Sequence, residues 1–507
     1  MNINNEENKM IMANSHQISL NKNLASYEGK EAGISEFEWK EACGVFGVMA
    51  PGEDVARLAF FGLYALQHRG QESCGIATFY KEQVFVHKDV GLVSQVFDEG
   101  ALAGLPGDIA VGHTRYSTTG SNNVCNAQPI LVIYNDLKIV LAHNGNLVNA
   151  TELRNELLLQ GYTFESTTDS EVMAKLIILE LNNKNDLRFA IKEAFKKCKG
   201  AYSVVLGTKD LLIAVRDPDG VRPLCIGTTH KGQHAIASET CALDIIGAGY
   251  KREVSPGEIV YINREQKVES DLLVTEIKPH HCIFELIYFS RPDSTFKGLS
   301  IYHFRKELGR QLAREAPVDA DYVISVPDSG TPAAIGFAEE SKLPFSEGLI
   351  KNRYVGRTFI QPSQMLRELG IRLKLNPLRD IIAGKKIVVV DDSIVRGNTS
   401  RKIVRLLKDS GAKEVHMRIS SPPVQWPCFY GIDIDSRDQL IAARTNSVDE
   451  ITKYIEADTL NYISHEGMIK STGLSVESFC TACFSGKYPI EIPRELEGAK
   501  LRYEKIK

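Results

Sequence analysis

Long apolar segments, strong net charge and dense cysteine are all missing from this sequence. No run of about 18 apolar residues occurs, so we expect no transmembrane helix. The formal net charge of −4 gives no electrostatic basis for binding nucleic acid or an anionic membrane. The 10 cysteines are too thinly spread over 507 residues for a secreted disulfide scaffold. We therefore expect reduced thiols and a cytoplasmic protein.

Residues 1–42 lack the apolar core of a signal peptide and are polar and rich in Asn and Glu, so we interpret them as a leader. The length of the remainder suggests two or three domains. A break is predicted near 262–280, where a polar turn follows the strand-like segment 258–261. The predicted organisation is thus a leader at 1–42, one domain at 43–270 and another at 271–507.

The stretch 387–400 combines an apolar segment, two carboxylates and a turn of small polar residues. Four β-formers in a row predict a buried strand that ends near Asp391 and Asp392. The apolar pattern of 401–408 then predicts a helix. A strand, a small-residue turn and a helix N-terminus form an anion site, because free backbone N–H groups and the helix dipole converge there. Neighbouring carboxylates suit ribose hydroxyls or Mg²⁺, so the stretch predicts a ribose phosphate site.

The alternative to a ribose phosphate site is an ordinary turn with exposed acidic side chains. The run of small residues and the continuous apolar strand make this alternative less favourable. Neither a Walker A spacing nor Gly-x-Gly-x-x-Gly is present. A second strand-to-turn unit lies at 323–331, followed by a predicted helix at 333–338. The segment 351–359 is basic and aromatic with a central glycine, which is typical of either a solvated loop or a lid over an anionic substrate.

The N-terminal half has many short strands and few helices. Segment 139–142 is a predicted strand, and 151–160 is a predicted helix with Thr151 as N-cap. Polar clusters interrupt the strands at 113–118, 143–146 and 167–171. Because sites are usually built where strands end in such clusters, we expect a second site here.

Both halves resemble known families. Residues 387–400 resemble the signature of type I phosphoribosyltransferases. The N-terminal half resembles the class II glutamine amidotransferases, which are N-terminal nucleophile (Ntn) hydrolases, in their phosphoribosyl branch. The motifs that carry this second resemblance are 43–47, 67–73, 112–118, 143–147 and 216–224. The implied fold is an αββα Ntn-hydrolase domain followed by a parallel-sheet α/β phosphoribosyltransferase domain.

The resemblance assigns roles in the glutamine site. Cys43 becomes the nucleophile after cleavage of the Ala42–Cys43 bond, because only a free α-amine, with a pKa of about 7.7–8.0, can act as its base. Asn144 and the Gly145 N–H then form the oxyanion hole. Arg115 pairs with the α-carboxylate of glutamine, where a bidentate guanidinium suits the geometry, and Asp169 takes the α-ammonium.

In the acceptor site, the resemblance assigns the ribose hydroxyls and Mg²⁺ to Asp391 and Asp392, with Ser329 as a further metal contact. Phosphate and lid contacts fall on seven residues: Ser393, Arg396, Gly397, Asn398, Thr399, Lys351 and Arg357.

Four cysteines of the C-terminal half form a possible ligand set: Cys282, Cys428, Cys480 and Cys483. Their spacing alone leaves a redox pair, zinc or chance open. Their sequence settings resemble the iron–sulfur subclass of the same family, which implies a [4Fe–4S] cluster with a structural role. The five other cysteines that follow Cys43 are expected to be core thiols: Cys74, Cys125, Cys198, Cys225 and Cys241.

The resemblance implies an enzyme that transfers the amide nitrogen of glutamine to C1 of phosphoribosyl pyrophosphate, at the first committed step of purine biosynthesis. The products would be 5-phosphoribosylamine, glutamate and pyrophosphate. Purine nucleotides as feedback inhibitors and a homo-oligomer are further implications. One alternative is a class II amidotransferase with another acceptor, which the presence of Asp391 and Asp392 makes less favourable. The other is a non-catalytic phosphoribosyl pyrophosphate sensor, which the presence of Cys43 makes less favourable.

Overall fold

The computed structural model describes residues 43–116, 123–352, 374–434, 436–445 and 447–493. Its N-terminal part contains two antiparallel sheets, of seven strands in the order β11-β9-β10-β1-β4-β2-β3 and of six in the order β13-β12-β8-β7-β6-β5. The strands are β1 Gly44–Met49, β2 Ser73–Tyr80, β3 Gln83–Val90, β4 Ile109–Arg115, β5 Ile130–Tyr134, β6 Leu137–Leu147, β7 Gly200–Gly207, β8 Leu211–Arg216, β9 Cys225–Thr229, β10 His234–Ala237, β11 Ala248–Glu253, β12 Glu258–Asn263 and β13 Val268–Leu272.

Helices cover the outer faces of the two sheets. They are α1 Val55–Ala65, α2 Val93–Val96, α3 Glu99–Ala103, α4 Ala150–Leu159, α5 Asp169–Asn183, α6 Leu187–Lys197 and α7 Thr240–Asp244, with a 3₁₀ turn at Val124–Asn126. One apolar core joins α1 and α7 to the seven-stranded sheet, and another joins α4, α5 and α6 to the six-stranded sheet. A third core, with Val45 and Val205, lies between the sheets. This arrangement confirms the αββα layers expected for the domain.

Local predictions in this part are met in outline and corrected in detail. The predicted strand 139–142 is the middle of β6, but the polar cluster 143–146 continues that strand instead of interrupting it. The predicted helix is α4, yet Thr151 lies inside its first turn and Asn149 precedes it as N-cap. The Asn149 side chain bonds across to Lys197 and Lys199, so a tertiary contact fixes where the helix begins.

The C-terminal part is built on a parallel four-stranded sheet in the order β17-β20-β21-β22. These strands are β17 Tyr322–Ser325, β20 Lys386–Asp391, β21 Glu414–Ile419 and β22 Thr459–Tyr462. Short strands flank the sheet: β14 His281–Cys282, β15 Thr295–Phe296, β16 Leu299–Ser300, β18 Leu349–Lys351, β19 Leu375–Pro377 and β23 Phe479–Cys480. Such a sheet needs apolar cover on both faces.

The helices supply that cover. They are α8 Ile301–Glu315, α9 Thr331–Ser341, α10 Arg379–Ile382, α11 Asn398–Asp409, α12 Ile441–Arg444, α13 Val448–Ile455, α14 His465–Thr472 and α15 Ala482–Ser485. A π-helical turn spans Glu285–Phe289, and 3₁₀ turns span Arg437–Gln439 and Val476–Ser478. One core joins α8 and α9 to the sheet residues Val388 and Val390, and the other joins α11 and α13 to Val389. The side chains of β20 thus alternate between two apolar layers, as the apolar run predicts.

The predicted domain boundary at 270/271 falls inside β13, which pairs with β12 as a hairpin over the polar turn of the predicted break. Among the residues described, no helix is both long and apolar enough to cross a bilayer.

Candidate active sites

Cys43 immediately precedes β1, an inner strand that pairs with both β4 and β10. Its side chain is buried, and the thiol donates to the Tyr116 carbonyl oxygen at 3.4 Å. Its own carbonyl oxygen accepts a hydrogen bond from Arg69 Nε at 3.0 Å. Burial raises the pKa of the Cys43 thiol, so a nearby base is needed to make it a thiolate.

Two charged residues predicted for the glutamine site lie beside Cys43. Arg115 ends β4, Asp169 begins α5, and both charges act on the Cys43 thiol. Asp169 accepts from the Leu147 backbone N–H at 3.0 Å, and its other oxygen lies 3.6 Å from Nδ1 of His143. Burial alone would raise the pKa of the Asp169 carboxyl, but these contacts outweigh it and bring the pKa below its usual range. The site therefore holds a buried carboxylate.

Asn144 and Gly145 lie on β6, which packs across β1 and β4. Asn144 is fully buried, and within the described part of the chain neither its amide oxygen nor its amide nitrogen has a hydrogen-bond partner. Buried amides are normally satisfied, so this one is available to a bound ligand. Gly145 has φ +145°, and a Cβ there would lie 2.0 Å from the Ala201 carbonyl oxygen, so no larger residue fits.

The second candidate site is at the carboxyl end of β20, where the strand leads through a turn into α11. Gly397 has φ +78° directly before the helix, so the small-residue turn that the sequence predicts is present and passes through the left-handed region, which favours glycine. The hydroxyls of Ser329 and Ser393 both donate to the Asp392 carboxylate. Burial raises the pKa of both the Asp391 and Asp392 carboxyls, and repulsion from Asp392 adds to the effect on Asp391.

Other residues predicted for this site lie around the same turn. Lys351 ends β18, and its Nζ donates to Asp328 at 2.6 Å, which brings it beside the Ser329 turn. The Asn398 amide oxygen accepts from the Tyr454 hydroxyl at 2.6 Å. Arg396 and Thr399 are half-buried in the turn and the first helical residues. Arg357 and most of the predicted 351–359 lid lie outside the described residues.

Three of the four predicted cluster cysteines are brought together by β14, β23 and α15. Cys282 and Cys480 are partners in the parallel pair β14–β23, and Cys483 follows in α15. Each of Cys282, Cys480 and Cys428 acts electrostatically on Cys483. Burial raises the pKa of Cys282 to about 12 and those of Cys480 and Cys483 still further, so these thiols need a cation to ionise. In the described ranges, however, no three His, Cys, Asp or Glu side chains already form a metal-binding group.

The remaining cysteines divide differently from the prediction. Cys74, Cys198, Cys225 and Cys241 are buried as expected, but Cys125 is exposed. It lies in a 3₁₀ turn beside the undescribed residues 117–122, and the asparagines on either side of Val124 and Cys125 are a polar context that the expectation of a core thiol overlooked.

A buried ionic network was missed by the sequence reasoning. Arg69 lies between Glu239 and Glu285, with Nη2 donating to Glu285 at 2.6 Å. Glu285 also accepts from Nη1 of Arg222 at 2.8 Å. Nε of Arg222 in turn donates to the carbonyl oxygen of Tyr430 at 3.0 Å. Arg69 and Arg222 belong to motifs that the resemblance uses, but nothing in their spacing predicts the shared carboxylate.

Comparisons with known proteins agree with this geometry. The glutamine amidotransferase domain family matches residues 113–244, and the phosphoribosyl transferase domain family matches residues 303–420. The amidophosphoribosyltransferase of Synechococcus elongatus is 56% identical over 470 residues, covering 92% of this chain and 95% of its own. That of Mycobacterium tuberculosis is 51% identical over 466 residues, covering 90% of this chain and 88% of its own.

A solved structure is similar across both domains. It is the glutamine phosphoribosylpyrophosphate amidotransferase from B. subtilis complexed with ADP and GMP, which is 48% identical. The match covers 89% of this chain and 98% of the other, with a TM-score of 0.84. The present chain therefore belongs to the amidophosphoribosyltransferase family.

Proposed function

We propose that this enzyme releases ammonia from glutamine at Cys43 and adds it to C1 of phosphoribosyl pyrophosphate, bound at the turn after β20. The products are 5-phosphoribosylamine, glutamate and pyrophosphate, at the first committed step of purine biosynthesis. The observation that carries the proposal is the buried Cys43 beside Arg115 and Asp169, in one chain with the Asp391–Asp392 turn. A different acceptor would leave that turn unexplained, and a non-catalytic sensor would leave Cys43 unexplained.

The geometry around Cys43 supports the following steps for the glutamine half of the reaction. With residues 1–42 removed, the α-amine of Cys43 accepts the proton of its own thiol, whose pKa burial raises. The thiolate attacks the side-chain amide carbon, and the unpartnered Asn144 amide and the Gly145 N–H receive the oxyanion. The C–N bond breaks, ammonia leaves with the transferred proton, and water hydrolyses the thioester to glutamate. Arg115 and Asp169 hold the α-carboxylate and the α-ammonium.

The acceptor half uses the turn between β20 and α11. Backbone N–H groups from Ser393 to Thr399 face the phosphate at the start of the helix, with Arg396 adding positive charge. Asp391 and Asp392 receive the ribose hydroxyls, and with Ser329 they would hold Mg²⁺. That ion, when bound, neutralises the pyrophosphate leaving group. Two buried adjacent carboxyls with raised pKa values suit a divalent cation, because it offsets their repulsion. Lys351 and Arg357 belong to the loop proposed to cover this substrate.

The cysteine set fits a [4Fe–4S] cluster held by Cys282, Cys428, Cys480 and Cys483. Four neighbouring thiols, of which three are buried, match the thiolate donor set that such clusters require. The cluster would supply a structural clamp, because its ligands come from the start, middle and end of the C-terminal domain.

We also propose how this enzyme is regulated and assembled. The B. subtilis relative is complexed with ADP and GMP, which supports purine nucleotides as inhibitors of this chain. We also retain the predicted homo-oligomer, the cytoplasmic location and the removal of residues 1–42.

The deciding experiment supplies purified protein with glutamine or ammonia together with phosphoribosyl pyrophosphate, and measures glutamate and pyrophosphate. We expect both products from glutamine in the wild type. Cys43→Ala should abolish glutamine use yet retain synthesis from ammonia at alkaline pH, because the acceptor site is untouched. Cys74→Ala, another buried thiol near β4, serves as the control and should retain both activities. Loss of both activities in a folded Cys43→Ala protein would refute the two-site proposal.

A further inference from the structure

The segment Cys428–Gly431 of the C-terminal domain lies directly against the oxyanion strand of the N-terminal domain. A Cβ added to Gly431 would lie 2.9 Å from the Gly145 carbonyl carbon and 3.0 Å from its Cα. Phe429 contributes a second contact, since its carbonyl oxygen accepts from the Asn146 amide at 2.9 Å. Two consecutive residues of β6 are therefore held from the other domain.

The segment itself is firmly anchored. The Tyr430 carbonyl oxygen accepts from Nε of Arg222 at 3.0 Å, and its hydroxyl donates to the Ile490 carbonyl oxygen at 2.6 Å. The Cys428 sulfur accepts from the Tyr430 N–H at 3.4 Å. The segment also follows β21, which is hydrogen-bonded to β20 of the acceptor site. It is a rigid support that originates in the acceptor domain.

We propose that Cys428–Gly431 is a positioning element for glutamine hydrolysis: it fixes Gly145 and Asn146 so that the oxyanion hole is correctly aligned. The inference rests on the proposed role of Asn144 and Gly145. The physical reason is that oxyanion donors act only at hydrogen-bond distance from the developing charge, so small displacements of β6 lower kcat. Ground-state binding of glutamine, through Arg115 and Asp169, does not use this contact.

The test is Gly431→Ala in the full-length enzyme, with Gly473→Ala as the matched control. Both glycines have positive φ, +102° and +69°, but a Cβ at Gly473 meets nothing within 4 Å. Both substitutions therefore introduce backbone strain, but only Gly431→Ala also adds an atom against Gly145. We expect Gly431→Ala to lower kcat for glutamine hydrolysis by roughly tenfold or more, a fraction of the effect of losing an oxyanion donor. The KM for glutamine, the ammonia-dependent synthesis and the Gly473→Ala enzyme should change little.

A second readout separates alignment from general damage. Alkylation of Cys43 by iodoacetamide displaces iodide without forming an oxyanion, so its rate, followed by mass spectrometry of the Cys43 peptide, should stay as in the wild type. An unchanged kcat for glutamine in Gly431→Ala would overturn the inference, as would an equal loss of glutamine, ammonia and alkylation rates.

If Gly431→Ala does not fold, Asn146→Ala decides, because it removes the bond to Phe429 without adding an atom. Selective loss of glutamine turnover would support the positioning role, and unchanged or uniformly reduced activity would overturn it. The proposed function has a separate test, since it fails if the wild type forms no glutamate and pyrophosphate from the two substrates, whatever the Gly431 and Asn146 variants do.

Discussion

The buried carboxylate of Glu285 connects two arginines that contact different parts of this protein. It contacts Arg69, whose Nε binds the Cys43 carbonyl, and Arg222, whose Nε binds the Tyr430 carbonyl. All three side chains are almost fully buried. Burial alone would raise the pKa of the Glu285 carboxyl, but the two arginines outweigh it and hold the pKa below its usual range. The network thus places the Glu285 carboxylate between two cations from the N-terminal domain, of which Arg69 also binds Glu239.

Glu285→Gln should strongly destabilise the fold, because it leaves two buried guanidiniums with too little compensation. Breaking a buried pair in this way costs about 3–5 kcal/mol, to be measured as the free energy of unfolding in urea. Glu340→Gln, which removes an exposed partner of Arg314, is the control and should change little. Equal unfolding free energies for Glu285→Gln and the wild type would refute the role given to the network.

The same variant should change the acid response. Because the folded-state pKa of Glu285 lies below its unfolded value of about 4.3, its contribution is fully present above that pH. The contribution is lost as pH falls through the folded-state pKa. The wild type should therefore lose more stability than Glu285→Gln on acidification below about pH 4.3, so that the two unfolding curves converge.

Single residues also show how much of the site could be predicted from the sequence. Cys43 and Arg115 lie in motifs that carry the resemblance and Asp169 lies in the polar cluster 167–171, and the structure places both charged residues near Cys43. The partners of Arg69 were not predicted, since Glu285 is 216 positions away and a lone Glu after an apolar pair gives no sign of burial. Ion pairs of that kind depend on tertiary packing, which local composition does not encode.

At the scale of elements, the turn between β20 and α11 depends on Gly397. Gly397→Ala places a Cβ 2.8 Å from Cδ1 of Ile441 at a positive φ, so the turn must shift. We expect a higher KM for phosphoribosyl pyrophosphate, by about tenfold, with either nitrogen source, because the helix N-terminus proposed to bind phosphate moves. Steady-state kinetics with varied acceptor check this. Gly384→Ala, with φ +73° and open space around its Cβ, should keep the normal KM.

Elements were predicted best where the pattern was long and chemically uniform. The run of branched apolar residues before Asp391 correctly predicted the strand β20. The apolar pattern after Ser400 correctly predicted the helix α11, but placed its start three residues too late. Thr151 failed as a cap because Asn149 has tertiary partners, and the cluster 143–146 stayed in a strand because β7 pairs with it. A polar residue inside a strand has the same local sequence pattern as a loop residue, and only knowledge of the partner strand distinguishes the two.

At the scale of the whole molecule, the two sites should be coupled. Asp391→Asn combined with Asp392→Asn would remove the ribose and metal contacts that we propose favour a closed acceptor site. We expect this double variant to lose synthesis with either nitrogen source and to lose stimulation of glutamine hydrolysis by phosphoribosyl pyrophosphate. Glutamate release with and without acceptor measures this. Asp380→Asn, an exposed acid on α10, is the control, and persistent stimulation in the double variant would refute the assignment of the turn.

The proposed cluster also belongs to the scale of the whole chain, because the four cysteines proposed to hold it span 282–483. Anaerobically purified protein should contain about four irons per chain, as the proposed cluster type requires. Removing iron by oxidation should abolish colour, activity and cooperative unfolding together. Stoichiometric zinc without iron in such a preparation would contradict the assignment. Sequence spacing could not decide between these metals, since both take thiolate ligands.

The position of Cys43 has a practical consequence for producing the protein. Cys43 is buried where an inner strand of a seven-stranded sheet begins, and its α-amine is free only if residues 1–42 are removed as proposed. If that removal occurs, an affinity tag fused before Met1 is lost with residues 1–42, whereas a tag after Lys507 remains. A doubly tagged chain would therefore report its own maturation: the ratio of the two tag signals on a blot of crude lysate gives the uncleaved fraction before any purification or assay.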